Sequence, residues 1–307
     1  MIYLCRYRPQ KVYLYLEHRP TKDLVKGLEI TTIVENTTTL DKPTLWAQHG
    51  LSLLVKIDLG GSKLTILFDT GPSEEAFLRN VDGMKIDLKE VDVIFISHGH
   101  YDHTSALLAA LKRIGKRVPV VVHPAAFEPK LKAEPHLAYI GIPFKPSEVE
   151  AAGGVLLYAK SPVTLSQNVL TSGEIERITP FEKIDALCTI KDGQFTRDLL
   201  LDDQALIVKV EGKGVVAILG CAHSGVINTI RQAQKLTETK EIYAVAGGFH
   251  LVRADEERIK QTIETLLQIN PQYIAPCHCT GINATCNLIK AFGDRCKPLT
   301  TGSHLKI

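Results

Sequence analysis

The chain has 307 residues, 45% of them apolar, and its 36 Lys plus Arg nearly balance 34 Asp plus Glu for a formal net charge of +2. That length allows one large domain or two small ones, with ample material for a buried core. So even a charge balance gives no broad positive field for gripping a polyanion and argues against sequence-blind binding of nucleic acid.

Residues 1–27 read as an N-terminal extension with one edge strand. Tyr3, Tyr7, Tyr13 and Tyr15 alternate with basic residues, and Pro9 and Pro20 interrupt any long element. Met1-Ile-Tyr-Leu-Cys5 is broken by Arg6, Arg8 and Lys11 with no small-residue cleavage site after it, so no secretory leader is expected. From Leu28 the pattern sharpens into strands at 28–34, 51–57 and 64–68, the last two joined by the turn cluster Asp58-Leu-Gly-Gly-Ser62. A helix over 73–84 follows, with Ser73 as N-cap and Glu74 and Glu75 in its first turn. Then come a buried strand at 91–97, a helix at 104–114 and a strand at 118–122.

Residues 124–180 are rich in Pro and Gly, have weak periodicity and read as an insertion or lid. The second half opens with a hairpin, 205–210 and 215–219, around Glu211-Gly-Lys-Gly214. The stretch Val215–Leu219 is among the longest apolar runs. It is strand-sized, far below the ~20 residues of a membrane helix, so no membrane span is expected. Helix 224–237, strand 242–246, helix 255–269, strand 273–276 and helix 281–292 complete the chain. Two halves, each a hairpin followed by βα units, predict an α/β (α+β) fold: an αββα sandwich of two mixed sheets covered by helices, spanning 28–307.

The chemistry concentrates where strand Ile94-Phe-Ile-Ser97 runs into His98-Gly-His-Tyr-Asp-His103. His98, His100, Asp102 and His103 put imidazole and carboxylate, the ligand set of zinc, iron or manganese, within six residues at a strand end. His98 and His100 at i, i+2 share one side of an extended strand, and the turn beyond brings Asp102 and His103 in from another direction. Gly99 permits backbone geometry that a side chain would hinder.

This His-x-His-x-Asp-His run resembles the signature of the metallo-β-lactamase superfamily, and Phe68-Asp-Thr-Gly71 resembles its upstream aspartate motif. Val34-Glu-Asn36, His49-Gly-Leu-Ser52, Gly220-Cys-Ala-His223, Gly247-Gly-Phe-His-Leu251 and Pro276-Cys-His-Cys-Thr-Gly281 are together similar to one archaeal and thermophilic group within it. That group is named for 7,8-dihydropterin-6-yl-methyl-4-(β-D-ribofuranosyl)aminobenzene 5′-phosphate synthase. The resemblance implies the αββα fold with one or two divalent ions at the sheet edges, zinc first and iron, manganese or magnesium after it. It implies a small, phosphorylated or pterin-type substrate and a cytoplasmic enzyme, either a dihydropteroate-synthase-like transferase or a hydrolase of phosphoesters or lactones. A diiron oxidoreductase is the reading of another class; in this fold such enzymes carry a flavin-binding domain, and none is seen after residue 300.

The remaining ligands are expected from the second half: His223 and His278 each follow a strand and precede a helix. His250, also after a strand, is a ligand, a substrate contact or a proton shuttle; with Asp102 it is a candidate catalytic residue. Asp69 resembles a residue that orients metal-binding histidines without binding metal. At Gly220-Cys221 the chain departs from most of the superfamily, which has a bridging Asp there; Cys221 reads as a ligand, since thiolate suits zinc and iron, or as a small buried thiol beside the ligands. Seven cysteines, four after residue 276, fit reduced thiols rather than a disulfide framework. Cys277 and Cys279 are expected to point away from His278. The helix starts at Ser224-Gly225 and Thr280-Gly281 offer backbone N–H groups to an anionic substrate, or are ordinary starts capped by Ser224 and Thr280. Glu35-Asn36 reads as a turn or as a contact to the amide-like edge of a pterin.

Overall fold

The computed structural model describes residues 12–13, 24–183 and 186–307; Tyr3, Tyr7 and Tyr15 of the N-terminal extension lie outside them. Among the described residues two seven-stranded mixed sheets face each other. The first runs, in spatial order, His304–Lys306, Gly27–Val34, Ser52–Asp58, Lys63–Phe68, Val93–Phe95, Val118–Val122 and Gly154–Tyr158. The second runs Val12–Tyr13, Val163–Ser166, Val169–Thr171, Ala205–Val210, Gly214–Leu219, Ile242–Gly248 and Tyr273–Cys277.

Period-two alternation distributes the side chains between layers. Leu53, Val55, Ile57, Val93 and Phe95 enter the interior between the sheets, where they meet Leu206, Val208, Val216, Ile218 and Ala246. Their neighbours Leu54, Ile94 and Ile96 face outward and are covered by Phe77 and Val81 of helix Glu74–Gly83 and by Leu107 and Leu111 of helix Leu107–Ile114. On the opposite side Ala217, Leu219 and Val245 pack under Val226 and Ile230 of helix Val226–Thr237 and Ile259 and Leu266 of helix Glu256–Ile269. Strands covered on both faces are apolar at nearly every position, which is why Val93–Phe95 and Val118–Val122 carry no polar alternation. This is the αββα architecture.

Two expectations are corrected. Part of the segment 124–180, read as an insertion or lid, belongs to the sandwich itself. Gly154–Tyr158 pairs in parallel with Val118–Val122 at the edge of the first sheet, and Val163–Ser166 and Val169–Thr171 join the second. These are strands of three to five residues, too short to register as periodic. Leu131–Lys132 and Ala138–Tyr139 instead form a small four-stranded sheet with Cys188–Lys191 and Gln194–Arg197. The single helix expected at 104–114 is two: Tyr101–Thr104 and Leu107–Ile114, broken at Ser105–Ala106. The short first turn aims Asp102 and His103 inward before the chain sets off along the sheet. Val12–Tyr13 pairs in parallel with Val163–Thr164.

The parallel strands Lys63–Phe68 and Val93–Phe95 in one sheet, and Gly214–Leu219, Ile242–Gly248 and Tyr273–Cys277 in the other, all end toward one rim. Asp69, His98, Cys221, His223, His250 and His278 follow those ends directly. Loops at the carboxyl ends of parallel strands are where α/β proteins place ligands. No helix among the described residues is long and apolar enough to cross a membrane.

Candidate metal centre

Four strand ends hold their site residue in the left-handed backbone region: Asp69, Ala222, His250 and His278 have φ of 55°, 56°, 50° and 51°. Each such non-glycine residue costs of order 1–3 kcal/mol, and the site is where the chain bears that strain. Gly99 is required by close approach, since a Cβ on it would lie 2.0 Å from the carbonyl oxygen of Ala126.

Hydrogen bonds fix three imidazole tautomers. Asp69, fully buried, accepts from the Ser97 N–H and Ser97 Oγ at 2.7 Å each, and its Oδ2 lies 2.6 Å from His103 Nδ1. A carboxylate can only accept, so His103 Nδ1 carries a proton and Nε2 is the atom turned into the site. Ser97 Oγ, having given its proton to Asp69, accepts from His98 Nδ1 at 2.9 Å, and His98 Nε2 likewise faces inward. Asn36 Oδ1 accepts the Gly50 N–H at 3.1 Å, which orients the amide, and receives His278 Nδ1–H at 2.9 Å. Glu35 Oε1 accepts the backbone N–H of His278 at 2.7 Å. Glu35 and Asn36 therefore hold His278 from behind, a positioning role beyond the turn or pterin contact expected of them.

The inward atoms converge. His103 Nε2 and His278 Nε2 are 3.2 Å apart, so the two rings present these nitrogens to one point. Asp102 Oδ2 lies 3.3 Å from His278 Nε2 and 3.7 Å from His103 Nε2. His98 Nε2 lies 3.0 Å from His100 Nδ1, and His100 Nε2 is buried without a hydrogen-bond partner. Ligands at about 2.0–2.1 Å from one ion are about 3.0–3.4 Å from each other, so these separations fit the edges of a coordination shell. Two trios emerge, His98 with His100 and His223, and Asp102 with His103 and His278, each with its donor atoms within 4.8 Å of one another. A divalent cation fits both.

Charge tells the same story. Burial pushes the Asp102 carboxyl up, but the His103 and His278 rings hold it well below the usual carboxylate range. Burial works against a charged His103, yet Asp102 and Asp69 raise it to about 9. Burial, with neighbouring rings, keeps His98 well below its ordinary value, and burial lowers His100 to about 4. One trio attracts positive charge through Asp102 and the adjoining Asp69, and the other presents neutral rings as donors.

Every residue expected as a ligand, His98, His100, Asp102, His103, His223 and His278, is thus brought to one rim. The His250 ring lies 4.2 Å from that of His223, and Cys221 Sγ lies 3.2 Å from His103 Nε2. Cys279 does not point away as strand alternation implied. The strand ends at Cys277, and the turn His278–Thr280 swings the Cys279 thiol round to donate to the Cys221 carbonyl at 3.3 Å.

The anion expected at Ser224-Gly225 is already present as side chains. The N–H groups of Ile227 and Asn228 donate to Glu182 at 2.8 Å each, and that of Ser224 to Asp203 at 2.8 Å. These carboxylates satisfy the helix start that a substrate was expected to use. Burial raises Glu182 to about 7 despite the two backbone donors. A raised folded pKa means that the folded state holds the extra proton, so stability falls as pH rises from the ordinary 4.5 through about 7. Glu182→Gln should flatten that slope in thermal unfolding between pH 5 and 8, and lower stability at pH 5 by about 1 kcal/mol through the loss of one acceptor. An unchanged slope would contradict this assignment.

Sequence reasoning assigned no site role to His49, Lys130 or Asp202. The exposed His49 reaches Asp102 Oδ2 with Nε2 at 3.4 Å, and its ring tilts over His278 at 5.0 Å. Buried Lys130 binds Asp202 Oδ1 at 2.6 Å and Asp198 Oδ2 at 3.0 Å, while Asp202 Oδ2 accepts the Gly99 N–H at 2.8 Å. His49 sits in a motif that was noted; the other two have no local signal.

Comparison with known proteins gives this geometry its context. Residues 47–187 match the family model described as the metallo-beta-lactamase superfamily. The chain is 33% identical over 288 residues to the 7,8-dihydropterin-6-methyl-4-(beta-D-ribofuranosyl)-aminobenzene-5'-phosphate synthase of Methanocaldococcus jannaschii, covering 92% of this chain and 97% of that one. The chain belongs to the metallo-β-lactamase superfamily. Among solved structures of the superfamily, Tm1679, described as a metal-dependent hydrolase, superposes with a TM-score of 0.75 at 25% identity, covering 91% of this chain and 99% of that one. YhfI of Bacillus subtilis, at 12% identity and a TM-score of 0.55 over 92% of this chain and all of that one, shares the fold.

Proposed function

We propose that this superfamily member is a metal-dependent transferase that joins the methylene of a dihydropterin-methyl diphosphate to an aminobenzene ribotide and releases diphosphate. The observation that carries the metal dependence is the convergence of His103 Nε2, His278 Nε2 and Asp102 Oδ2, which lie 3.2–3.7 Å from one another. Two imidazole nitrogens and a carboxylate oxygen at these separations match the edges of one divalent ion's coordination shell. The near full-length likeness to the archaeal synthase supports the substrate class.

His98, His100 and His223 would hold one divalent ion, and Asp102, His103 and His278 a second. Bound there, such ions would supply Lewis acidity toward the negative charge of the departing diphosphate. The reaction breaks the bond from the methylene carbon to the diphosphate oxygen and forms one from that carbon to the amine nitrogen. His250, half-buried against His223, would accept the proton the amine loses. Asp69, Ser97 and Asn36 keep the Nε2 lone pairs of His98, His103 and His278 turned inward through turnover. The ribotide phosphate would dock at Thr280-Gly281, where helix Ile282–Phe292 begins next to His278.

A phosphoester hydrolase is the second reading, favoured by the likeness to Tm1679. Acceptor dependence separates the two. Purified protein given the dihydropterin-methyl diphosphate should release diphosphate only when the aminobenzene ribotide is also present. Release at the same rate without it, with hydroxymethyl-dihydropterin as product, would make the enzyme a hydrolase.

A further inference from the structure

We infer that a cavity between Trp46 and Glu75 is the pterin subsite: Trp46 stacks on the bicycle, while Glu75 and Gln48 read its amino-pyrimidinone edge. The inference rests on the reading of a dihydropterin substrate and says how this chain would recognise it.

Trp46 is the one tryptophan of the chain and is 47% exposed, yet its backbone is tied into the core. Asn80, fully buried in helix Glu74–Gly83, accepts the Trp46 N–H at 2.8 Å and donates at 2.8 Å to the carbonyls of Trp46 and Ile33. A buried amide is tolerated only when its hydrogen bonds are made, and two of these three go to an exposed residue. Arg79 Nε donates to the Thr44 carbonyl at 3.1 Å, and its guanidinium lies 4.5 Å from the indole centre. An indole held in this way loses little freedom when a flat ligand stacks on it.

The indole borders a cavity of about 480 Å3, within the range of small-molecule sites, lined also by buried Leu45 and Ala76 and by Gln48, Ser73 and Glu75. Ser73 Oγ accepts the Ala76 N–H at 3.3 Å and donates to Gln48 Oε1 at 2.6 Å, which leaves the Gln48 NH2 group to donate. The Glu75 carboxylate has no hydrogen-bond or ion-pair partner among the described residues. The edge of a pterin presents a 2-amino donor, an N3–H donor and a 4-oxo acceptor. A carboxylate takes the two donors in parallel and an amide NH2 takes the oxygen, so Glu75 and Gln48 match that edge in kind. Glu35 and Asn36 are occupied in holding His278.

The chain itself ties this cavity to the metal centre. His49, next after Gln48, reaches Asp102 Oδ2 at 3.4 Å, and the Leu51 N–H donates to the Asp102 carbonyl at 3.1 Å. Trp46 and His49 are three residues apart, at most about 11 Å between Cα atoms. A bicycle stacked on Trp46 would have its 6-methylene diphosphate within reach of Asp102, His103 and His278.

The test titrates the metal-loaded full chain with pterin, lumazine and guanosine, reading heat and the fluorescence of Trp46. Pterin should bind and quench the indole. Lumazine, with an oxo group in place of the 2-amino group, should bind about 10–100-fold more weakly, the loss of a hydrogen bond to a charged group. Glu75→Gln should weaken pterin by a similar factor and narrow the gap to lumazine, with metal content as in wild type. Trp46→Ala should weaken it about tenfold or more. Pterin binding that leaves the indole unquenched and is equal in both variants would overturn the subsite and leave the substrate reading standing. Guanosine has the same edge on another bicycle; tighter binding of it than of pterin would overturn the inference in favour of a purine. No pterin binding would overturn the subsite and the substrate together. Quenching by pterin in a protein whose diphosphate release needs no acceptor would support the subsite and count against the transferase alone. The wild-type quench and the pterin-to-lumazine ratio decide the matter even if a variant fails to fold.

Discussion

Replacing His100 and His103 together by Ala should give a protein that retains no metal and turns over no substrate. Each trio loses one of its three donors, so neither can close around an ion. Activity should drop by about a thousandfold or more, because the Lewis acidity removed is worth several kcal/mol in the transition state. The fold should survive. Both rings lie on the rim, outside the three hydrophobic clusters. Metal analysis after gel filtration, with circular dichroism as the folding check, reads the result. Wild-type metal content in the folded double variant would sink the ligand assignment.

Lys130→Met should be the most destabilising single change outside the metal trios. Burial works against the ammonium, but Asp202 and Asp198 raise its pKa, so it remains charged. Its side chain is 1% exposed, and removing it strands two buried carboxylates without their counter-charge. Breaking a buried pair by removing one partner costs about 3–5 kcal/mol. The damage should reach the metal. Asp202 also receives the N–H of Gly99, the peptide between His98 and His100, so a displaced Asp202 loosens both ligands. Residues that hold ligands in place are worth about 10–100-fold in metal affinity. Urea unfolding and a competitive zinc titration should therefore both shift. A loss of stability with unchanged zinc affinity would confine Lys130 to a role in the fold.

The βα units and their strand-end histidines were legible because local chemistry writes them. Val93–Phe95 is apolar on both faces, Ser73 caps its helix through the Ala76 N–H, and the His98–His103 run packs its ligands into one turn. What eluded the sequence acts over long separations. Glu182 caps a helix 45 residues downstream, and Lys130 meets Asp202 across 72. Neither spacing leaves a periodic trace. The Ser224-Gly225 expectation failed for that reason: the helix start was recognised, but the carboxylates filling it came from elsewhere. The 124–180 reading failed differently, because strands of three to five residues look like loop until their partners are known.

The central claim is that two ions lie at this rim, and anomalous X-ray scattering from crystals of protein purified without chelator tests it most directly. The account predicts two peaks about 3.5–4 Å apart, one ringed by His98, His100 and His223 and the other by Asp102, His103 and His278. No peak at either position, after soaking in zinc or iron as well, would contradict it.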